Sequence, residues 1–288
     1  MSDLGTWQGV RTTLEEYLEP SYYDKLLKPY VFSGREDIDL FATFVRERAD
    51  TIHRVVELGY GTGRATECLL HQARDIDAYT GVDLSRQMQA WTTNRFRETE
   101  NAQFVNSDSL DYLRESRPSF DLLFSLWSLS HSIHKHLLAG DSQDEIVDLM
   151  FEAIQNGNED STVYFLQFDA LSDEQRILMK QWARDYPLFR VGEQSPAMGI
   201  LDELWGRLTA TGEWETSSRH LLGEPIVYAS MDEALEVFLN FHLESAFNGG
   251  PNFYEVAEEI KGYLATYVQP NGEIHVRPGV FEFIAHRK

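Results

Sequence analysis

The stretch "RVVELGYGTGRATECLL", residues 54–70, sets Gly59, Gly61 and Gly63 between an apolar run and a helix-like sequence. A strand that breaks into glycines and then into a helix brings backbone N–H groups and a helix N-terminus close to whatever lies above the bend. The chain must therefore hold at least one strand–loop–helix unit whose loop is built for close approach.

The same rhythm continues downstream. "HRVVEL" reads as a first strand and "GRATECLLHQA" as its helix, and "IDAYTGVDL" with "SRQMQAWTTNRFRE" repeats the pair. "AQFVNSD" and "FDLLFSLWSLS" read as the third and fourth strands, "SQDEIVDLMFEAIQ" as a helix and "STVYFLQF" as the fifth strand. Strands alternating with helical patterns indicate βαβ units, and near-continuous apolar strands indicate a parallel sheet covered on both faces. The expected fold is α/β, a Rossmann-like doubly wound sheet. After Phe168 the stretches "SDEQRILMKQWARDY" and "MGILDELWGRLTA" follow one another as helices, expected to form an inserted helical cap. "EWETSSRHL", "PIVYAS" and the closing "GVFEFIAHRK" are strand-like, while "MDEALEVFLNFHLESAF" and "YEVAEEIKGYLATYV" are helical. The expected organisation is an N-terminal helical lid over 1–50, a cofactor-binding core over 51–168 and the cap over 169–212. Strands and helices over 213–288 then complete the core.

Composition narrows the partners. With 288 residues, 42% hydrophobic and 25% charged, the chain is of ordinary globular make-up and long enough for a substantial core. Its net charge of -22 repels polyanions, and no basic cluster with interleaved aromatics offsets it, so nucleic acid is not an expected partner. No apolar run is long enough to span a bilayer and no secretory leader opens the sequence, so the chain reads as cytoplasmic and free of the membrane. Cys68 has no second cysteine to pair with and reads as a small buried hydrophobe. Nothing in the sequence fixes the oligomeric state.

The dinucleotide fingerprint G-x-G-x-x-G requires a glycine where the chain has Arg64, and Glu57 would set a carboxylate against a pyrophosphate. Glu57, Gly59, Gly61 and Gly63 instead match E/D-x-G-x-G-x-G, and here the chain resembles the class I S-adenosylmethionine-dependent methyltransferases. The resemblance spans about 54–168 with the terminal strands. It implies S-adenosylmethionine as cofactor, its methionine part in the glycine loop and its amino group oriented by Glu57. That cofactor carries an ammonium, a sulfonium and a carboxylate but no phosphate, so an acidic neighbour is tolerated. Asp83 ends the second strand about twenty residues on, where a carboxylate can accept both ribose hydroxyls. The match further implies that Asp108 meets the adenine amino group with Ser109 beside it, and Leu84 and Met88 are candidates to flank the adenine as apolar walls. Each acidic residue also has a plain structural reading: Glu57 as a helix cap, Asp83 as a helix start, Asp108 as an N-cap before "SLDYL".

Methyl transfer from a sulfonium is an in-line displacement that asks chiefly for alignment and exclusion of water. Ligands in such sheets bind beyond the carboxyl ends of the strands. The end of the fourth strand, "SLWSLSHSIHKHL", therefore makes His131 the leading candidate for a base or acceptor-orienting group, with a structural histidine as the alternative. Ser125 and Trp127 are expected to wall the cofactor pocket, with buried strand packing as the alternative for either. His131, His134 and His136 form H-x-x-H-x-H, but no carboxylate pair of the metal-dependent kind accompanies them, so no metal is expected. Tyr22, Tyr23 and Tyr30 are candidates to close over the site, Tyr23 as the second catalytic candidate, with packing as the alternative. Trp182, Trp205 and Trp214, in or beside the cap, read as its core, with substrate contact as the alternative. Arg35 and Arg64 would meet either the methionine carboxylate or solvent. The function expected is methyl transfer to a compact small-molecule acceptor, an amine favoured over a hydroxyl. A cofactor-binding regulatory or scaffold protein without transfer is the alternative, and a dinucleotide-dependent oxidoreductase stands behind both.

Overall fold

A seven-stranded sheet organises the centre of the chain in the computed structural model, which describes residues 30–73, 75–239 and 253–288. Its strands are β1 (Arg54–Leu58), β2 (Ala78–Asp83), β3 (Ala102–Asn106), β4 (Leu122–Leu126), β5 (Thr162–Phe168), β6 (Trp214–Leu222) and β7 (Gly279–Arg287). They lie in the order β3-β2-β1-β4-β5-β7-β6. The first five are parallel: Val56 stands opposite Thr80 on one side and Leu123 on the other, and Leu123 stands opposite Val163. β7 enters antiparallel, with Phe283 opposite Phe165. The Lys288 N–H donates to the Glu213 carbonyl and the Gly223 N–H to the Pro278 carbonyl, each at 2.8 Å, so β6 runs opposite to β7. β6 therefore ends at the same edge as β1 to β5. The five expected parallel strands are present, and the chain's last strand closes the sheet by insertion rather than at its rim. Strand order reverses between β1 and β4, and the crevice at such a reversal is where open α/β sheets take their ligands.

The helices are α1 (Asp37–Arg46), α2 (Arg64–Gln72), α3 (Arg86–Arg95), α4 (Ser109–Ser116), α5 (Leu129–Ala139), α6 (Gln143–Gln155), α7 (Asp173–Asp185), α8 (Pro196–Thr211), α9 (Met231–Val237) and α10 (Phe253–Leu264). Side chains alternate across the sheet. Phe124 and Tyr164 meet α1, with Phe41 4.6 Å from the Phe124 ring and Phe44 4.5 Å from the Tyr164 ring. Their neighbours Leu123, Val163 and Phe165 join a second core with Leu110 of α4, Ile133 of α5, Met150 of α6 and Leu204 of α8. Each such aliphatic or phenyl side chain contributes about 1.5–3 kcal/mol by leaving water. Helix ends follow local chemistry. Ser142 and Glu145 form a reciprocal capping box at α6, and Pro196 starts α8, which Gly212 stops at φ 73°.

The chain divides into two units. One holds residues 35–169, 194–221 and 280–288, which include the whole parallel sheet. α8 belongs to it: Trp205 Nε1 donates to the carbonyls of Ser217 and Ile284 at 3.2 and 3.1 Å, tying the helix to β6 and β7. α8 was expected over the site as part of a cap, but its stripe of Leu201, Leu204, Trp205 and Leu208 lies in the core. α1, within the segment expected as a lid, also packs on the sheet. The other unit is described over 30–34, 170–193, 222–239 and 253–279. It contains α7, α9, α10 and an antiparallel pair with Ile274 opposite Tyr228. Gln181 and Arg184 of α7 reach Glu259 of α10 at 2.7 and 2.9 Å. Trp182 packs on Tyr186 and Phe189. No described helix is long and apolar enough to cross a membrane.

Candidate active site

β1 turns at Leu58 into the glycine loop, which leads into α2. Gly59 has φ 85°, and a β-carbon there would stand 1.9 Å from Ser128 Oγ, so the turn after β4 leaves it no room. Gly61, at φ 50°, faces open space, with nothing within 4 Å of the same position. The loop is fixed from α3, where Thr92 Oγ1 donates to the Gly61 carbonyl and Arg95 to the Thr62 carbonyl, both at 2.8 Å. Asp83, at the end of β2, accepts the Gly61 N–H at 2.9 Å and the Ser85 N–H at 2.8 Å. Burial pushes its carboxyl up and these two N–H groups partly offset that. Leu84 beside it is 61% exposed, an apolar side chain left open at the rim of the crevice. Met88, in the first turn of α3, is buried.

Glu57 lies sealed in β1, where Thr66 Oγ1 donates to its carboxyl at 2.8 Å and the Tyr79 hydroxyl donates to the same oxygen. Burial raises its pKa from 4.5 to about 7, against those two hydrogen bonds, and the Asp83 charge adds to the rise. A raised carboxyl holds its proton in the folded state after the unfolded chain has released it. Stability is therefore lost as pH climbs from 4.5 through about 7, by roughly 3 kcal/mol in all. Glu57→Gln should remove that dependence. Denaturant melts at pH 5 and pH 8 should show the wild type losing about 2–3 kcal/mol more than the variant, and equal losses would contradict a proton-holding Glu57.

Asp108 caps α4 through the N–H groups of Leu110 and Asp111 at 3.0 and 3.4 Å. It also accepts Ser132 Oγ at 2.6 Å, Lys135 Nζ at 3.1 Å and His136 Nε2 at 3.1 Å. Burial works against its charge, but the Ser132 and Lys135 hydrogen bonds and the neighbouring cations outweigh it and hold the carboxyl below its usual range. Ser109, the first residue of α4, is buried. Asp108, Asp111 and His136 bring ligand-type atoms within 4.8 Å of one another. The Lys135 ammonium stands beside them, 3.1 Å from Asp108 and 3.8 Å from Asp111.

The run read as the end of the fourth strand continues into the helix α5. The chain turns into it through Trp127, a non-glycine residue at φ 67°. His131 is exposed on α5, and burial with the His131 charge holds His134 down to about 3. Ser125 is buried, donating to the Leu58 carbonyl at 2.7 Å and accepting the Leu129 N–H at 3.2 Å, so it joins β4, β1 and α5. Arg64 meets a carboxylate of the protein itself: it pairs with the fully buried Asp37, which also accepts Trp127 Nε1 at 2.7 Å. That Asp37–Arg64–Trp127 network, and the pairing of His220 with Asp169 at 2.6 Å, were missed from sequence because their members lie far apart along the chain. Cys68 is half-buried, and burial pushes its thiol up to about 11. Tyr30 is buried and donates to Glu174 at 3.1 Å within its own unit. Tyr22 and Tyr23 lie outside the described residues.

Residues 55–144 match the family model described as a methyltransferase domain. Among solved structures, the YcgJ protein of Bacillus subtilis is 14% identical, with 87% of this chain and 99% of that one covered and a TM-score of 0.52. The [4+2]-cyclase SpnF is 14% identical over 95% of this chain and 93% of that one, at 0.51. The plantazolicin methyltransferase BpumL, solved with S-adenosylhomocysteine, is 11% identical over 86% and 82%, at 0.45. The likeness to the first two is one of fold. No curated protein matches the sequence.

Proposed function

We propose, from the match of residues 55–144 to the model of a methyltransferase domain, that this chain transfers the methyl group of S-adenosylmethionine to a small-molecule acceptor. The observation that carries the reading is the pairing of an open glycine with a fixed carboxylate. Gly61 leaves its outer side free, and Asp83, held by the Gly61 and Ser85 N–H groups, stands next to it. Asp83 keeps lone pairs for the two ribose hydroxyls. Leu84 offers the adenine an apolar face that is otherwise left to water. Glu57, beneath the loop, supplies a carboxyl that the approach of an ammonium would favour in its charged form. The sulfonium supplies an activated methyl, so the protein has only to bind, align and exclude water. Asp108 shapes the floor, since its carboxylate is committed to α4 and α5. The acidic net charge of -22 argues against a nucleic-acid acceptor.

Binding and turnover test the reading in turn. S-adenosylhomocysteine at a hundred times its Kd should stabilise the protein by about 2.7 kcal/mol, whereas NAD and NADP should not. Stabilisation by NAD alone would return the glycine loop to a dinucleotide. A fold shared with a [4+2]-cyclase keeps binding without transfer as the second reading. It is chosen if S-adenosylhomocysteine binds but no tritiated methyl reaches pooled amines, hydroxyl compounds, RNA or DNA.

A further inference from the structure

We propose that His220 and Asp169 form the proton-accepting dyad of the acceptor site, and that the acceptor atom is a hydroxyl oxygen of phenolic character. The inference rests on the methyl-transfer reading above and concerns the same edge of the sheet. Asp169 directly follows β5, so it stands at the carboxyl edge that carries the glycine loop after β1 and Asp83 at the end of β2. Two strand spacings, about 10 Å, separate β5 from β1, and His220, carried on the rim strand β6 two strands further out, reaches back to Asp169 at the β5 end. His220 sits two residues before the end of β6, which finishes at this edge too.

The geometry is that of an oriented base. His220 Nε2 lies 2.6 Å from Asp169 Oδ2, and Gln194 Nε2 donates to Asp169 Oδ1 at 2.9 Å, so both carboxylate oxygens are engaged. The imidazole also lies against the Phe281 ring, with centroids 4.6 Å apart and planes 24° apart. Phe281 itself stands opposite Gln167 of β5, so the clamp is built on the sheet. Asp169 is 2% exposed and His220 39% exposed. A sealed carboxylate thus holds a half-open imidazole. With Nε2–H donated to the carboxylate, Nδ1 carries the lone pair, and that atom has no hydrogen bond among the described residues.

The step balances. Nδ1 of His220 takes the proton of the acceptor O–H as the oxygen lone pair forms the new O–C bond to the methyl group. The C–S bond breaks with its electron pair passing to sulfur, which loses its positive charge. The imidazolium that results is stabilised by Asp169 and returns its proton to water. His220 is the catalytic residue and Asp169 the positioning residue. An amine that arrives neutral would not need such a base. The net charge that favoured an amine is a property of the whole chain, whereas the dyad is local to the acceptor side.

The test uses 4-nitrophenol as a probe with the full chain and S-adenosylhomocysteine. At a pH below the probe's own pKa the wild type should produce the phenolate absorbance band. His220→Ala and Asp169→Asn should lose it while still binding S-adenosylhomocysteine within about twofold. With S-adenosylmethionine, transfer to phenol should fall about 100-fold or more in His220→Ala, and transfer to the more acidic 4-nitrophenol should fall less. No phenolate band in the wild type, unchanged transfer in His220→Ala, or transfer to amines alone would overturn the proposal. Failure of the wild type to bind S-adenosylhomocysteine would instead defeat the methyl-transfer reading, and the phenolate band without that ligand would then judge the dyad by itself.

Discussion

Gly59→Ala should destabilise the protein by about 2–5 kcal/mol, while Gly61→Ala, two residues away, should cost about 1 kcal/mol. Both residues have positive φ, so the conformational penalty is shared. The difference is steric: the Gly59 β-carbon would meet Ser128 Oγ at 1.9 Å and Ser128 Cβ at 2.1 Å, and the Gly61 β-carbon would meet nothing. Ser128 cannot easily withdraw, because it lies between the Trp127 turn and the first residue of α5. Thermal melts should therefore separate the two variants by several degrees. Combining Ser128→Gly with Gly59→Ala should recover much of the loss, since it removes both clashing atoms. Binding should show the reverse order, with Gly61→Ala losing S-adenosylhomocysteine affinity by tenfold or more because its methyl fills the open side of the loop. If Gly61→Ala binds like the wild type, the ligand does not approach the loop from that side.

The same two glycines show what sequence conveys and what it does not. A glycine triplet after an apolar strand announces close approach, and its chemistry is short-range, so the loop and the five parallel strands, with Asp83 at the end of the second, were legible. Which glycine faces protein and which faces open space was not, because Ser128 reaches the loop from another strand's end. α5 was not legible as a helix for a related reason. Its polar, histidine-rich sequence has little helical signature, and it begins after a tryptophan in the left-handed region, a conformation that residue type does not suggest. α8 posed the opposite problem. An amphipathic stripe is the same whether it covers a site or a core, and only its partners, here α6, β6 and β7, decide between them. His131 attracted attention because it follows the fourth strand. His220 did not, because its acid partner is 51 positions away and β6 gave no signal beyond alternation.

Asp83 should prove the single residue on which cofactor affinity most depends. Its carboxylate ends β2 at the edge of the crevice and holds the Gly61 N–H at 2.9 Å, so it shapes the loop while keeping lone pairs for the proposed ligand. Asp83→Ala should weaken S-adenosylhomocysteine binding by about 1–3 kcal/mol, roughly fivefold to more than a hundredfold. Asp83→Asn separates the two roles, since its amide oxygen can still accept one of the two N–H groups while the charge is gone. Burial raises the Asp83 carboxyl above 3.8 in the free protein, so part of its desolvation cost disappears in the asparagine variant. Unfolding measurements should then find Asp83→Asn close to the wild type in stability and Asp83→Ala below it. Calorimetry should find both weakened toward S-adenosylhomocysteine. The pH dependence has a definite sign: a protonated Asp83 is a poorer acceptor, so wild-type affinity should fall as pH drops toward the raised pKa, and the asparagine variant should lack that fall. Full affinity in a folded Asp83→Asn protein would show that the ribose hydroxyls find their acceptor elsewhere, and would leave Asp83 with the loop alone.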